Sequence, residues 1–119
     1  MGAGIGEVES RLDAIRDDAE HGATHLTREA VTVMRIACLA LPADSGWAPG
    51  LTSIADRLGR AKPAMVGISN AARRYLGKLL ERGPAEGKRD AAGLWKELLD
   101  EIDRSSANAA EAAAALLPE

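Results

Sequence analysis

Aromatic residues are scarce in this sequence. The chain has two tryptophans, one tyrosine and no phenylalanine, so aromatic residues make up only 3% of it. The hydrophobic fraction is nevertheless 46%, and the core must therefore be built from alanine, leucine, isoleucine and valine. Alanine and leucine are strong helix formers, whereas the β-branched and aromatic residues that favour strands are few. We expect an all-helical (all-α) fold.

Cysteine is represented by Cys38 alone, which excludes an intramolecular disulfide framework and fits cytoplasmic residence. Cys38 lies in an apolar run with Ile36, Leu39 and Leu41. Burial in such a run raises the pKa of a thiol and disfavours the reactive thiolate. We therefore expect a buried structural cysteine and not a nucleophile.

Long apolar segments and an excess of positive charge are also missing. No stretch approaches the ~20 apolar residues of a membrane-spanning helix, and the N-terminus lacks a signal-peptide pattern. The 15 lysines and arginines are outnumbered by 18 acidic residues, which gives a formal net charge of −3. A general polyanion binder would need the opposite balance, and Trp47 and Trp95 are too isolated to form a base-stacking surface. We expect a soluble, cytoplasmic protein with no membrane partner and no direct contact with nucleic acid.

The length of 119 residues fits a single domain, 1–119. Residues 1–6 contain three glycines and are expected to form a flexible tail. Apolar spacing then predicts about five helices in a compact bundle. They are expected at 7–20, at 24–41, at 51–58, from Pro63 to Gly83, and from about Lys88 onward as a long C-terminal helix. Residues 43–50 are expected to form a surface loop anchored by Trp47, and residues 105–119 the end of the last helix or a linker.

The ends of these helices carry recognisable signals. We expect Gly22 to end the first helix as a left-handed cap and Thr24 to be the N-cap of the second. Thr52 or Ser53 is expected to be the N-cap of the third helix, which Gly59 then closes. Pro63 should force Lys62 out of helical geometry.

Two segments place a cation and a turn residue ahead of a helix: His21-Gly22-Ala23, and Lys62-Pro63. Helix N-termini attract anions, because their first N–H groups lack partners within the helix and carry partial positive charge. The two segments could therefore face one phosphate or carboxylate ligand. Asn70, on the first turn of the fourth helix, could contact a sugar hydroxyl or cap a neighbouring carbonyl.

Each of these residues also has an ordinary structural explanation. His21 could face water at a helix C-terminus, Gly22 could be a simple cap, and Lys62 could be solvated, as we expect of Arg73 and Arg74. His25 has no acidic partner at ligand spacing on its own helix, so no metal site is predicted. The sequence suggests no catalytic residue and no cofactor.

The same segments resemble the N-terminal helical domain of the initiation factor 2B family, which includes ribose-1,5-bisphosphate isomerases and methylthioribose-1-phosphate isomerases. The family wording is Arg-Gly-Ala for the first motif and Thr-Arg-Pro-Thr-Ala-Val, then Pro-Asn-Ala, for the second. The order and spacing are retained here, with replacements that include His21 and Lys62 for arginines, Ala61 and Ala64 for threonines, and Ser69 for proline.

The resemblance implies that a Rossmann-like catalytic domain follows Glu119 and that this chain covers its phosphosugar site. The residues implied to contact the phosphate or a hydroxyl are His21, Gly22, Ala23, Lys62 and Asn70. The complete enzyme would convert an aldose 1-phosphate to a ketose and form a homo-oligomer. The isolated chain would be inactive, since the family's catalytic Cys and Asp belong to the following domain.

The family also offers an alternative without catalysis: a regulatory protein-interaction domain like those of the initiation factor 2B regulatory subunits. The loss of arginine at both motif positions favours it. The acidic first helix would then be a docking surface for a basic partner, and the alanine-rich C-terminal segment a second contact surface.

Overall fold

Residues 3–116 fold into four α-helices. The computed structural model describes residues 3–116, with side chains for 4–105. The helices are α1 (Ala3–Asp17), α2 (Ala23–Ala40), α3 (Trp47–Ala61) and α4 (Val66–Leu116), and the described range contains no strand. The all-helical prediction is confirmed.

The fourth helix is broken at Gly83, whose φ of 80° and ψ of 175° are non-helical. Only glycine adopts these angles readily. Pro84 follows, and its fixed φ and missing N–H suit the first position of a helix. The Gly83-Pro84 break was predicted, but it divides α4 into two arms, 66–82 and 84–116, with no loop between separate helices. The predicted start at Lys88 is therefore wrong, since residue 88 lies inside the second arm.

Helix α2 is the central element and packs against α1, α3 and α4. Its buried apolar side chains cover more than one face, so it is surrounded by the rest of the bundle. They are Leu26, Ala30, Val31, Val33, Met34, Ala37 and Cys38. The predicted burial of Cys38 is confirmed.

Helix α1 is shifted towards the N-terminus relative to the prediction of 7–20. It begins at Ala3, so residues 3–6 of the predicted tail are helical, and it ends at Asp17. Its buried side chains are Val8, Leu12 and Ile15, which recur at the predicted helical spacing. Residues 1–2 and 117–119, to which the tail and linker predictions extend, lie outside the described residues.

The connection between α1 and α2 corrects two predictions about helix ends. Gly22 has a φ of −82° and a ψ of 177°, so it is extended and not left-handed. It is the N-cap of α2, and Thr24 lies in the first turn of that helix. Both corrections follow from the early end of α1, which leaves a five-residue connection (18–22) where the sequence suggested a single glycine cap.

Helix α3 begins at Trp47, four residues before the predicted start, because Pro49 is accommodated in the first turn, where N–H groups have no helical partner. Thr52 is inside the helix and its hydroxyl donates to the Ala48 carbonyl at 2.9 Å, so neither it nor Ser53 is the N-cap. Gly59 is also internal. A Cβ there would lie 3.1 Å from the Ser69 hydroxyl oxygen, so Gly59 permits close packing of α3 on α4.

The C-terminal end of α2 is held by two long side chains. Trp47 is buried and its Nε1 donates to the Cys38 carbonyl at 3.2 Å, which confirms its predicted anchoring role. Lys88, from the second arm of α4, donates from Nζ to the carbonyls of Cys38, Leu39 and Leu41 at 2.5 to 3.0 Å. A cation is favourable at this end, where carbonyl groups lack helical partners.

Both arms of α4 contribute buried side chains, and most match the predicted apolar spacing: Ile68, Ala72, Tyr75 and Leu79 from the first, and Ala91, Leu94, Leu98 and Leu99 from the second. The large apolar side chains of Val66 and Leu80 are exposed instead, at 63% and 40%. They lie off the stripe that joins Ile68 to Leu79, so helical rotation carries them away from α2.

Candidate functional site

The connection between α1 and α2 is organised by Asp18. One oxygen of its carboxylate, Oδ1, accepts hydrogen bonds from the backbone N–H groups of Glu20 at 3.0 Å and His21 at 2.8 Å. The other, Oδ2, accepts a bond of 2.6 Å from Nδ1 of the His21 ring. This side chain therefore fixes both the backbone and the imidazole of the first predicted motif.

The second predicted motif reaches the same residue. Lys62 ends α3 with φ −137° and ψ 76°, so the predicted departure from helical geometry before Pro63 is confirmed. Its Nζ donates to the backbone oxygen of Asp18 at 2.6 Å. His21 and Lys62 thus lie on the same side of the bundle, both bonded to Asp18. Both side chains are therefore bonded within the chain, although the His21 ring remains about half exposed.

The charges in this cluster reinforce one another. Hydrogen bonds from the His21 backbone and then from its ring lower the pKa of Asp18 from 3.8 to about 2. In return, the hydrogen bond to Asp18, followed by the Asp18 charge, raises the pKa of His21 above its ordinary value of 6.5. The carboxylates of Glu20 and Glu29 add to this effect. His21 is therefore favoured in its cationic form, as an anion-contacting histidine would need to be.

Ala23 and Asn70 line an open groove of about 410 Å³ at the starts of α2 and α4. The groove is mostly apolar on one side, where Leu98 and Ile102 of the second α4 arm contribute. Arg74 also borders it, but its guanidinium is paired with Glu101 at 2.9 Å. The backbone runs directly from His21 through Gly22 to Ala23, so the Asp18 cluster and the groove are adjacent.

No steric constraint requires a glycine at position 22. A Cβ built there would meet no heavy atom within 4 Å, and its backbone angles are open to any residue. The five predicted contact residues are therefore arranged as two neighbouring groups, His21 and Lys62 around Asp18, and Ala23 and Asn70 at the groove, with Gly22 between them.

A group that the sequence analysis missed involves His25. Ligand-type atoms of Asp18, His21 and His25 all lie within 4.8 Å of one another. The two imidazole rings are stacked, with centroids 4.0 Å apart and planes 21° from parallel. Glu29 lies four residues after His25 on the same helix and lines the same pocket, so the expectation of no acidic partner on that helix was wrong, and Asp18 comes from the preceding connection. The spacing Asp18-x2-His21-x3-His25 was the available signal.

The remaining candidates are structural. Burial raises the pKa of the Cys38 thiol, which keeps it protonated and unreactive. The acidic face of α1 is largely neutralised by ion pairs within the chain: Glu7 with Arg11, Glu9 with Arg57, and Asp13 and Asp17 with Arg16.

Comparisons of the chain with protein-family models, with curated proteins and with solved structures find no match. Among residues 3–116, none of the helices combines the length and the apolar composition needed to cross a membrane.

Proposed function

We propose that this chain is the N-terminal helical domain of an initiation factor 2B-like sugar-phosphate isomerase, and that it covers the phosphosugar site of a catalytic domain that follows it. The observation that carries the proposal is the convergence of both motifs on Asp18. His21 donates to its carboxylate and Lys62 to its backbone oxygen, although the two cations are far apart in the sequence.

The local geometry supports an anion-binding role for this side of the molecule. Gly22 is the N-cap of α2, and a glycine at this position makes no side-chain cap bond. Helix α4 begins at the same groove, with Gly67 and Asn70 in its first turns. Two helix N-termini beside a cationic His21 form a positive environment for a phosphate.

The role of each residue follows from this arrangement. Backbone N–H groups at Gly22 and Ala23 would donate to phosphate oxygens, and Asn70 would contact a sugar hydroxyl. His21 and Lys62 would supply charge. Closure of this surface over the active site would exclude water from the reaction, an aldose-to-ketose isomerisation of a sugar 1-phosphate in a homo-oligomeric enzyme. The catalytic acid and thiol would come from the other domain, so this chain alone would be inactive.

A titration of the full chain with ribose 1,5-bisphosphate, followed by amide NMR in the presence of EDTA, tests the proposal. The expected result is saturable movement of the Gly22, Ala23 and Gly67 signals at millimolar ligand. Lys62→Glu should abolish it, whereas Lys96→Glu, an exposed position in the second α4 arm, should leave it intact. Unchanged affinity in Lys62→Glu removes Lys62 from the site. No movement in the unmodified chain means that it has no autonomous site.

A second candidate, a regulatory protein-interaction domain without catalysis, is favoured by one observation. Lys62 donates a hydrogen bond to the Asp18 backbone oxygen, and His21 donates one to the Asp18 carboxylate. Both residues therefore stabilise the fold without any ligand. Acidic side chains of α1 are already paired with arginines of the same chain. This face is therefore less suited to a basic partner than the sequence suggested. Reading the gene beyond Glu119 discriminates the two: a Rossmann-like domain carrying Cys and Asp supports the isomerase.

A further inference from the structure

We propose that Asp18, His21 and His25 bind a single Zn²⁺ ion or a similar transition-metal ion. This inference goes beyond the proposed function, because it uses His25, which has no part in phosphate contact. It rests on one juxtaposition: a carboxylate and two imidazoles, from the α1–α2 connection and the first turn of α2, whose ligand-type atoms all lie within 4.8 Å.

The three side chains can converge on one ion with small movements. In a tetrahedral zinc site the metal lies about 2.0–2.2 Å from each nitrogen or oxygen ligand. The Asp18 Oδ2 and His21 Nδ1 atoms, now 2.6 Å apart, must separate slightly so that the ion replaces the proton between them. The stacked rings must rotate so that one nitrogen of each faces the ion. His21 and His25 are both exposed, and 49% of the His21 side chain is accessible to solvent. Core packing therefore does not prevent the rings from rotating.

The backbone already holds the ligands in place. Asp18 Oδ1 is bonded to the N–H groups of Glu20 and His21, which fixes the carboxylate relative to the His21 backbone. Lys62 is bonded to the Asp18 backbone oxygen and so stabilises the connection without occupying the carboxylate. Because Asp18 is held at both its carboxylate and its carbonyl, a metal gains a partly pre-formed ligand pair.

The donor set selects the kind of ion. Two imidazole nitrogens and one carboxylate oxygen suit Zn²⁺, Ni²⁺ and Cu²⁺, whereas Mg²⁺ and Ca²⁺ prefer sites made of oxygen atoms. Three protein ligands leave a fourth position for water. Glu20 and Glu29 both act electrostatically on His21, and Glu29, although paired with Arg11, lines the same pocket as Asp18 and His25, so negative charge from Glu20 in particular favours a cation. Arg11 also lines that pocket but is paired with Glu7 and Glu29.

Isothermal titration of the EDTA-stripped full chain with ZnCl₂ at neutral pH is the direct test, with histidine ring NMR to locate the ion. The expected result is one saturable Zn²⁺ per chain, no saturable binding of Mg²⁺, and movement of both histidine ring signals. His25→Ala and His21→Ala should each weaken Zn²⁺ binding by about ten-fold or more. Asp18→Asn should weaken Zn²⁺ binding to a similar extent. The amide oxygen of the asparagine can still accept the two backbone hydrogen bonds, so the connection should keep its conformation.

Two control variants separate this site from others. Glu20→Gln removes a neighbouring carboxylate that is not a ligand and should retain most of the affinity. Cys38→Ala removes the buried thiol and should retain all of it. Absence of saturable Zn²⁺ binding, or equal affinity in His25→Ala and the unmodified chain, overturns the proposal.

The outcome is independent of the phosphosugar test. His25→Ala is expected to lose Zn²⁺ while keeping the ligand-dependent movement of the Gly22 and Ala23 amides in EDTA. If Zn²⁺ binding fails and that movement persists, the metal site alone is wrong. If Zn²⁺ binds and that movement is absent, the metal site stands and the chain has no autonomous phosphosugar site.

Discussion

The hydroxyl of Tyr75 donates a hydrogen bond of 2.6 Å to the backbone oxygen of Ala91. Tyr75 is in the first arm of α4 and Ala91 in the second, and both are fully buried. The bond therefore joins the two arms across the break at Gly83. Burial also raises the pKa of Tyr75 well above its ordinary value of 10.0, so the phenol remains a donor throughout the neutral range.

Replacing Tyr75 with phenylalanine tests this link. The ring stays in the core while the donor is lost, so we expect the free energy of unfolding to fall by about 1 kcal/mol. Urea denaturation measures it. Thr52→Val removes an exposed hydroxyl bond within α3 and should cost less than about 0.5 kcal/mol. Because Tyr75 is the sole tyrosine, tyrosinate absorbance reports it alone, and it should not titrate near pH 10 while the chain is folded. Titration there would contradict its burial.

Lys88 is expected to be the most important lysine for stability. Its ammonium donates hydrogen bonds to three backbone carbonyls at the end of α2, and two of these bonds are partly buried. Lys88→Met keeps most of the apolar stem but removes the ammonium from the Leu39 and Leu41 carbonyls, while Cys38 keeps its bond from Trp47, and we expect a loss of about 1–3 kcal/mol in the free energy of unfolding. Lys96→Met, in the same arm and exposed, is the matched control and should change stability by less than about 0.5 kcal/mol. Equal effects of the two variants would show that the α2 end does not depend on Lys88.

Glycine-to-alanine substitutions in α4 should have opposite signs at two positions. Gly83 has a φ of 80°, which alanine adopts only with strain, so Gly83→Ala should destabilise the fold by about 1–3 kcal/mol. Gly77 lies inside the first arm, and a Cβ there meets no heavy atom within 4 Å. Gly77→Ala should therefore stabilise by about 0.5–1 kcal/mol, because alanine is the better helix former. Thermal unfolding of both variants measures the difference, and a neutral Gly83→Ala would contradict the positive φ at this position.

The buried faces of the helices could be predicted from the sequence, since helical periodicity alone selects residues such as Val8, Leu12 and Ile15. Helix ends were predicted less well. Gly59 was interpreted as a terminator, but its lack of a side chain serves contact with Ser69 of a different helix. A glycine selected by tertiary packing looks the same in a sequence as one selected by backbone conformation.

The sequence singled out residues of the candidate site, but it did not predict how they contact one another. The motif spacing drew attention to His21 and Lys62, yet Asp18, which bonds to both, was treated only as part of an acidic surface. The bond from Lys62 to Asp18 spans 44 positions, and no local pattern encodes such a contact. The Asp18, His21 and His25 group was hidden for the related reason that its members belong to two different local structures.

The pairing of Asp18 with His21 predicts a pH dependence with a defined window. A raised His21 pKa stabilises the folded chain fully below 6.5 and less as the pH rises through the folded value. A lowered Asp18 pKa stabilises it above 3.8 and less as the pH falls towards about 2. The pair therefore contributes most between pH 3.8 and 6.5.

Histidine ring NMR of the EDTA-treated chain, carried from this range to pH values well above 6.5, measures the His21 pKa in the unmodified protein, in Asp18→Asn and in Glu20→Gln. The substitution should lower the His21 pKa, because it removes the carboxylate that makes the largest contribution to the shift. Glu20→Gln, which removes a weaker and purely electrostatic influence, should lower it less. If His21 titrates at the same pH in all three proteins, the ring is not held by the Asp18 carboxylate in solution, and Asp18 would not join the first motif to Lys62 through that ring.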